Sequence, residues 1–324
     1  MVSIVIVSYN TKEILGHCLH SLFENSKEID MEVFVVDNNS HDGSADMVKT
    51  DFPSVFLIAN RQNLGFAAAN NQAFAHAKGK YIILLNPDAY IQPFALKNCI
   101  GFMDRTPQCG LCGGKIISPA GKLEPSARRF PSVFSKILSF TGLSGKFPRS
   151  GILNHYEFGG FTYDRPMEVD WVPGTFTIVR KTMLDAIGWF DERFYIYYEE
   201  TDLCMRAKKA GWQVYFIPDA EVIHIGGASS KTRKDKIFDN HAAQVLVFRM
   251  RSEWLYYRKN RGLPAVLSCA GFELFWYGVR YAKNLILPSA EAEKKRSATL
   301  QIMKQIITSL QDTKSGRVSP PTPW

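Results

Sequence analysis

The residues best suited to chemistry are polar groups that follow apolar runs. The apolar run 81–85 has the length and composition of a strand buried on both faces, and Pro87 must end it because proline cannot donate to a sheet. Asp88 therefore follows the carboxyl end of a buried strand. At that edge of an open α/β sheet, a carboxylate can hold a hard cation such as Mg2+ against phosphate oxygens. The alternative is that Asn86, Pro87 and Asp88 form only a turn.

Other ionisable groups occupy comparable positions. Asp37 ends the apolar run 32–37, where its carboxylate either caps the next loop or accepts the N3–H of a pyrimidine base. Glu199 and Glu200 begin a helical pattern, where acidic groups can interact with the helix dipole alone or one of them can act as a general base. His224 falls within an apolar strand, where a structural role is the common one.

Alternating strands and helices must position these groups. The β-branched run 2–8 precedes a helical pattern, and the same alternation continues through the strands at 32–37, 55–59 and 81–85. Such a βαβ series without hairpin signals predicts an α/β fold with a parallel sheet and helices on both faces. Right-handed crossovers would bring Tyr9, Asp37 and Asp88 to one edge of that sheet. No GxGxxG sequence follows the first strand, which disfavours a dinucleotide-dependent dehydrogenase.

Two features in the middle of the chain suggest a ligand but have simpler explanations. Residues 118–168 are rich in glycine and proline and predict a long surface excursion, in which Arg128 and Arg129 can meet a diphosphate or simply be solvated. We expect both arginine side chains to be solvated. Cys109 and Cys112 form a CxxC pair without a second pair or a nearby histidine, so we expect two small buried side chains rather than a zinc site.

Charge is unevenly distributed along the chain. Residues 1–227 carry 22 Lys and Arg against 24 Asp and Glu, whereas residues 228–324 carry 17 against 7. The last third is also dense in aromatic and apolar groups at helical spacing, which predicts helices that lie on an anionic membrane surface or pack on the rest of the chain. No nucleic-acid recognition motif accompanies the charge, so DNA and RNA are disfavoured as partners.

The beginning of the chain and its cysteines indicate a compartment. Six cysteines lack a disulfide-like spacing, and the first residues run directly into a strand pattern without a signal peptide. These features predict a reducing, cytoplasmic environment.

Eight motifs occur in order along residues 1–230: Ile-Val-Ser-Tyr-Asn at 6–10, Val-Asp-Asn-Asn-Ser at 36–40, Asn-Leu-Gly-Phe-Ala-Ala-Ala-Asn-Asn at 63–71, Leu-Asn-Pro-Asp at 85–88, Trp-Val-Pro-Gly at 171–174, Gly-Trp-Phe-Asp-Glu-Arg-Phe at 188–194, Glu-Glu-Thr-Asp-Leu-Cys at 199–204, and His224. Together they resemble inverting glycosyltransferases of family 2, especially the bacterial rhamnosyltransferase branch. The resemblance implies a GT-A fold, which is a Rossmann-like, mostly parallel central sheet flanked by helices. It also implies a nucleoside-diphosphate sugar donor and Mg2+ or Mn2+.

The resemblance further implies roles for the metal and catalytic positions. Asp88 matches the last aspartate of the DXD-type motif and is therefore expected to be a metal ligand, whereas Asn86 replaces the first acidic residue of that motif. His224 matches a residue that helps to hold the metal in some relatives. Glu200 matches the catalytic base, with Glu199 beside it as the alternative.

The remaining matches concern the substrates. The donor nucleotide is expected to contact five positions, with Asp37 as the reader of the base: Tyr9, Asp37, Asn63, Gly65 and Asn86. Trp171 and Gly174 match a loop next to the donor sugar and the acceptor.

These observations predict three regions and one reaction. Residues 1–230 are expected to form the GT-A catalytic domain, residues 231–312 a basic, amphipathic helical C-terminal extension, and residues 313–324 a disordered tail. The expected reaction moves L-rhamnose from dTDP-L-rhamnose to a lipid-linked glycan acceptor, as a step in the assembly of cell-surface polysaccharide. The enzyme would be cytoplasmic and peripheral on the inner face of the cell membrane. The alternatives are a transferase for another UDP or GDP sugar, and a non-catalytic component of a membrane assembly that binds nucleotide sugar or glycan.

Overall fold

The structure is a computed structural model that describes residues 1–226, 241–286 and 289–320. The predicted boundary at residue 230 and the basic side chains at 231–236 lie outside the described residues. The helices and strands follow in chain order: β1 (Val2–Ser8), α1 (Lys12–Asn25), β2 (Met31–Asp37), α2 (Ser44–Asp51), β3 (Phe56–Ala59), α3 (Phe66–Phe74), β4 (Tyr81–Leu85), β5 (Ala89–Ile91), α4 (Ala95–Arg105), β6 (Cys109–Ile117), β7 (Leu123–Glu124), α5 (Val133–Phe140), α6 (Leu143–Lys146), a 3-10 helix (His155–Glu157), β8 (Met167–Val169), β9 (Phe176–Arg180), α7 (Lys181–Ile187), α8 (Glu199–Lys209), β10 (Gln213–His224), α9 (His241–Ile286) and α10 (Ala290–Asp312).

These elements belong to two compact units. The first unit contains Met1–Phe130, Phe161–Glu192 and the described residues from Glu199 to Gly226. The second contains Pro131–Gly160, Arg193–Tyr198 and the described residues from His241 onwards. Each unit is therefore assembled from segments that are separated in the sequence.

The first unit is built on one sheet with the strand order β3-β2-β1-β4-β9-β6-β10-β5, to which β7 and β8 add at β6 and β10. Strands β1 to β4 are mutually parallel, and β6 is parallel to β10. Strand β9 runs antiparallel between β4 and β6. The predicted α/β class is confirmed, and the sheet is mixed because β9 enters it from a later part of the chain.

Burial explains why these segments form these elements. All residues of β1 and β4 are buried, as expected for strands covered on both faces. Helix α1 buries Leu15, Cys18, Leu19 and Leu22, which the 3.6-residue period places on one face against the sheet. The expectation for Cys109 and Cys112 is met, since both are buried free thiols.

The strand register brings the polar strand ends together. Ser8 pairs with Asp37, and the Asn38 amide donates to the Ser8 carbonyl at 2.8 Å, so β1 and β2 end at the same level. Strand β4 pairs with β9 so that Leu85 opposes Phe176. The residues after β4 and the residues before β9 therefore meet at this edge.

The second unit is helical. Trp254, Tyr256 and Tyr257 of α9 are fully buried, and the Trp254 indole donates to Ser309 Oγ of α10 at 2.8 Å. Helix α9 is interrupted at Gly262, whose φ of 83° lies in the left-handed region, two residues before Pro264. Among the described residues, one stretch, Gln244–Ile286, has the length and composition of a membrane-crossing helix, because it contains an 18-residue window with a mean hydropathy of 1.2.

One segment differs from the sequence-based expectation. Part of the predicted surface excursion forms α5, which is capped by Ser132 and buries Leu138. Residues 313–317 follow α10 as a turn: the Thr313 hydroxyl donates to the Ser309 carbonyl at 2.7 Å, and Gly316 lies against the Trp254 backbone. The disordered tail expected for residues 313–324 stays a prediction, and residues 321–324 lie outside the described residues.

Candidate active site

The edge formed by β1 and β2 presents a buried carboxylate. Asp37 is 3% exposed, and its Oδ2 accepts a hydrogen bond from the Ser40 amide at 2.9 Å. Its Oδ1 is buried and has no hydrogen-bond partner among the described residues. The first oxygen thus makes the loop-capping contact anticipated from the sequence, whereas the second is an acceptor without a donor. An unsatisfied buried acceptor is costly, and a ligand N–H would satisfy it.

The loop at 63–65 is fastened to β2 by Asn38, a buried residue that the sequence analysis did not place in the site. The Asn38 amide group donates to Asn63 Oδ1 at 2.8 Å and to the Gly65 carbonyl at 3.2 Å. Its Oδ1 accepts from the Leu64 amide at 3.0 Å. The sequence signals that could have identified Asn38 were its position directly after Asp37 and its place in the motif at 36–40. Tyr9 lies half-buried after β1, at the same edge as Asp37.

A second polar group lies where β4 ends. Asp88 is buried between β4 and β5, and its Oδ1 is 3.5 Å from His224 Nε2 at the end of β10. The other ring nitrogen, Nδ1, is 3.0 Å from Glu124 Oε2 on β7. Burial lowers the pKa of His224, but the hydrogen bonds to Asp88 and Glu124 outweigh burial and raise it to about 9. Sequence reasoning missed Glu124 because a two-residue strand carries no periodic signal.

Asp88 and His224 supply one carboxylate and one imidazole that converge on one point. No cluster of three or more His, Cys, Asp and Glu side chains suited to a metal occurs in residues 1–226, 241–286 and 289–320. Mg2+ commonly uses only one or two protein carboxylates and completes its shell with phosphate and water, and imidazole also suits Mn2+. The donor set therefore fits a divalent cation that shares its coordination with a diphosphate. Glu124 holds the ring nitrogen opposite to the one that faces Asp88, as outer-shell carboxylates do for metal-binding histidines.

Glu199 and Glu200 form the first turn of α8. The chain enters this helix through Tyr197 and Tyr198, whose φ values of 71° and 68° are in the left-handed region. Such a conformation is strained for a bulky side chain and is common near functional sites. Glu199 is buried, and Glu200 is half-buried. For the part of the chain that the structure describes, Oε2 of each glutamate is inaccessible and lacks a hydrogen-bond partner.

The two carboxyl groups differ in their surroundings. Burial raises the pKa of Glu199 well above its ordinary value, and the charge of Glu200 raises it further. Burial also raises the pKa of Glu200, but backbone N–H groups, including that of Gly174, and the charge of Arg128 oppose the rise. Glu200 is consequently the carboxyl whose ionised form receives more support from its neighbours.

The Trp171–Gly174 loop reaches Glu200 from the sheet. A Cβ atom built on Gly174 would lie 3.9 Å from Glu200 Cβ. The loop is held by Arg128, which bridges to Trp171 in an isolated β-bridge and places its guanidinium 5.5 Å from the centre of the indole ring. Arg128 is half-buried, so its side chain is partly solvated and partly packed.

The residue that follows the Trp171–Gly174 loop contacts the end of β4. The Asn86 amide donates to the Thr175 carbonyl at 3.0 Å, which places the residue after Gly174 next to the turn that carries Asp88. Asn86 itself is half-buried. The structure thus brings Asn86, Asp88, Gly174 and Glu200 into one continuous set of neighbours.

Other motif residues hold the scaffold. Asp202 is fully buried and pairs with Arg206 at 2.9 Å, and Arg206 in turn donates to the carbonyls of residues 187–189. Asn71 exchanges two hydrogen bonds with the backbone of Phe190. These side chains fix α8 and α3 against the segment that begins at Gly188.

Known proteins are similar to this chain in sequence. The family model described as glycosyl transferase family 2 matches residues 3–166. The N-acetylglucosaminyl-diphospho-decaprenol L-rhamnosyltransferase of Mycobacterium tuberculosis is 31% identical over 234 residues, which are 68% of this chain and 75% of that protein. The dTDP-rhamnosyl transferase RfbF of Shigella flexneri is 27% identical over 267 residues, 82% of each chain.

A solved structure shares the fold. The mannosyltransferase PcManGT of Pyrobaculum calidifontis, in complex with GDP-Man and Mn2+, aligns over 97% of this chain and 86% of its own with a TM-score of 0.51 and 16% identity. The GT-A fold and the glycosyltransferase class expected from the motifs are confirmed. The chain belongs to glycosyl transferase family 2, among relatives that include bacterial rhamnosyltransferases.

Proposed function

We propose that this glycosyltransferase transfers a sugar with inversion and that Glu200 is the general base. The observation that carries the proposal is the Glu200 carboxyl, which is half-buried beside Gly174 and has one oxygen without a partner among the described residues. A base needs an ionised group that still accepts a proton readily, and the opposing influences on the pKa of Glu200 meet that need. Glu200 takes the proton of an acceptor hydroxyl as that oxygen attacks the anomeric carbon from the face opposite the diphosphate.

The donor that we propose is dTDP-L-rhamnose. Two relatives are named as rhamnosyltransferases, and one of those names includes dTDP. The free Oδ1 of Asp37 is an acceptor for the N3–H of thymine, and Tyr9, Asn63 and Gly65 lie at the same edge to receive the nucleotide. Uracil also carries an N3–H, so the base contact alone does not select dTDP over UDP.

The diphosphate would lie next to Asp88 and His224. A divalent cation, Mg2+ or Mn2+, would supply positive charge there that stabilises the departing diphosphate. Asp88 and His224 are the side chains that would hold it, and Glu124 orients the His224 ring through Nδ1. Asn86 follows β4 directly and would meet the donor nucleotide, while Trp171 and Gly174 border the donor sugar and the acceptor.

The acceptor that we propose is a lipid-linked glycan in cell-surface polysaccharide assembly. The name of the mycobacterial relative specifies a sugar diphosphate on decaprenol as its acceptor. A lipid-linked acceptor would require this enzyme to work at the cytoplasmic face of the cell membrane.

A donor screen tests the proposal. The thermal unfolding midpoint and the release of nucleoside diphosphate are measured with dTDP-L-rhamnose and with several UDP and GDP sugars, in Mn2+ and in chelator. We expect dTDP-L-rhamnose with Mn2+ to give the largest stabilisation, since a ligand that binds only the folded state raises its stability. Asp37→Asn and Asp88→Ala should each remove this stabilisation, whereas the exposed control Asp51→Asn should keep it. Stabilisation by a UDP or GDP sugar instead would refute the proposed donor.

A further inference from the structure

The second half of α9 has an exposed face with almost no charge. Residues 263–286 follow the break at Gly262, and their exposed side chains recur at intervals of three and four residues, which places them on one side of the helix. Leu267, Phe275 and Ile286 are 54%, 65% and 78% exposed. The other exposed positions on this side are apolar or small, apart from Lys283 at its edge: Leu263, Pro264, Ser268, Gly271, Val279, Ala282 and Leu285.

The opposite side of the same helix is buried in the second unit. Val266, Cys269 and Glu273 are buried, and the Glu273 carboxylate contacts the buried ammonium of Lys136 on α5. The ring of Phe140, also on α5, lies 6.2 Å from that of Phe272. A helix that crosses a bilayer as a single span contacts lipid on every side. One side of this helix instead packs against other residues of the second unit.

The charge around the exposed side is positive. Residues 241–286 contain seven Lys and Arg and two Asp and Glu. Both acids are withdrawn from the surface, because Glu253 and Glu273 each pair with Lys136. Exposed cations border the apolar side at two places, Arg261 just before it and Lys283 at its edge, whereas Arg280 lies two turns after Glu273 and therefore on the opposite side. Basic residues that border an apolar helix face are the pattern of helices bound to anionic lipid.

We propose that residues 263–286 form a membrane-binding face that lies in the plane of an anionic bilayer. At 1.5 Å per residue the face extends for about 35 Å. Its apolar side chains would enter the boundary between headgroups and acyl chains, and Arg261 and Lys283 would contact lipid phosphates. This surface is distinct from the sugar-transfer site, and the inference does not depend on which donor the enzyme uses.

Vesicle sedimentation with a matched control tests the face. The full-length triple variant Leu267→Gln/Phe275→Gln/Val279→Gln replaces exposed apolar groups with a good helix former. We expect its binding to vesicles of phosphatidylcholine and phosphatidylglycerol to fall by at least about tenfold relative to wild type. The control Ile152→Gln removes an equally exposed apolar side chain elsewhere in the second unit and should bind as wild type does. Unchanged thermal unfolding would show that all three proteins are folded.

The charge contribution is measured separately. Lys283→Gln should weaken binding to the anionic vesicles by about fivefold or less, since each cation near such a surface contributes about that factor. Binding to vesicles of phosphatidylcholine alone should change little. Added salt should weaken the vesicle binding of the wild-type protein more than that of this variant, because salt screens a charge that the variant lacks.

Three results would overturn the inference. The first is a triple variant that sediments with anionic vesicles as well as wild type does. The second is a triple variant that changes a dimer into a monomer in solution without altering vesicle binding, which would assign the face to a second copy of the chain. The third is resistance of the membrane-bound wild type to alkaline carbonate extraction, which would indicate a spanning helix instead of an in-plane one.

Discussion

Glu199 and Glu200 are neighbours in sequence with carboxyl groups in different environments. Glu199 is buried, and both burial and the adjacent charge of Glu200 favour its protonated form. Glu200 accepts hydrogen bonds from backbone N–H groups and lies near the positive charge of Arg128, which favour its ionised form. A pair of coupled carboxyls with different surroundings is a common arrangement for dividing acid and base roles.

At the residue scale, the first prediction separates these two groups. Glu200→Gln should lower kcat by about 10²-fold to 10⁴-fold, the range that a general base contributes. Glu199→Gln should retain turnover and leave the acidic limb of the kcat/KM profile at its wild-type pH, because burial and the charge of Glu200 keep Glu199 protonated and the substitution replaces a neutral carboxyl with a neutral amide. Burial raises the pKa of Glu200, so the rate of both proteins falls as pH drops through that raised pKa.

The pH dependence of kcat/KM with saturating donor is the measurement, and circular dichroism confirms that both variants are folded. If Glu199→Gln is inactive and Glu200→Gln is active, the roles are exchanged. Glu199 would then be the base.

How much of this site was predictable depends on the kind of contact. Asp88 and Asp37 follow apolar runs, so their placement at strand ends could be read from local pattern. The 3.5 Å approach of His224 to Asp88 depends on the pairing of β10 with β5, which joins residues more than 130 positions apart and has no local signature. Glu124 and Asn38 act through such non-local contacts, and for that reason they were missed. The roles assigned to Asp37, Asp88 and Glu200 remain predictions.

At the element scale, α5 and α9 are joined by a buried ionic cluster. Lys136 of α5 lies 2.8 Å from Glu253 and also contacts Glu273, both on α9. Its ammonium is 4.8 Å from the centre of the Trp254 ring. Lys136, Glu253 and Glu273 line a cavity of about 230 Å3 within the second unit. A buried cation between two carboxylates is costly to disturb, since each partner left alone is an uncompensated buried charge.

Lys136→Met should therefore lower the free energy of unfolding by about 3 kcal/mol or more at neutral pH. Burial raises the pKa of Glu273 from 4.5 to about 7, and loss of Lys136 removes the influence that opposes this rise. The folded state then binds a proton that the unfolded state releases, so stability is lost as pH rises through the folded pKa. The defect should consequently be smaller at about pH 5 than at about pH 8.

Urea unfolding at both pH values measures this effect. The double variant Lys136→Met/Glu273→Gln should recover part of the lost stability, because it removes one of the two uncompensated carboxylates. Equal defects at both pH values would show that Glu273 does not respond to the loss of Lys136.

The elements themselves were predictable to different degrees. Strands β1, β2 and β4 and helix α1 carry strong hydrophobic patterns and were expected where they occur. The antiparallel insertion of β9 between β4 and β6 was not, because strand order is set by long-range pairing. Helix α5 was hidden in a stretch whose glycines and prolines suggested only loop, although its apolar residues pack in the second unit.

At the scale of the whole molecule, the second unit combines segments from three parts of the chain. Residues 131–160 and 193–198 pack with α9 and α10. The Tyr195 ring lies 5.2 Å from that of Phe248, and the Ser252 hydroxyl donates to the Ile196 carbonyl at 2.7 Å. Removal of the C-terminal helices would leave Leu138, Phe194 and Tyr195 without the groups that bury them.

A chain that ends after Gly226 should therefore aggregate instead of forming a free-standing catalytic domain. In a matched chain, residues 131–160 are also replaced by a short Gly/Ser linker, which removes most of the exposed apolar surface and should restore solubility in part. Size-exclusion chromatography of both proteins after identical expression is the measurement. A monodisperse, donor-binding protein from the simple truncation would contradict this prediction.

The discontinuity of the second unit also governs events on the ribosome. Residues 131–160 and 193–198 leave the exit tunnel well before the helices that cover them have been synthesised. At translation rates of about 5 to 20 residues per second, roughly ten to thirty seconds pass between the synthesis of α5 and the completion of α10, and Leu138 stays uncovered during that interval. Nascent chains are thus expected to engage holding chaperones in that interval, and slower elongation across the C-terminal third would reduce the yield of native protein.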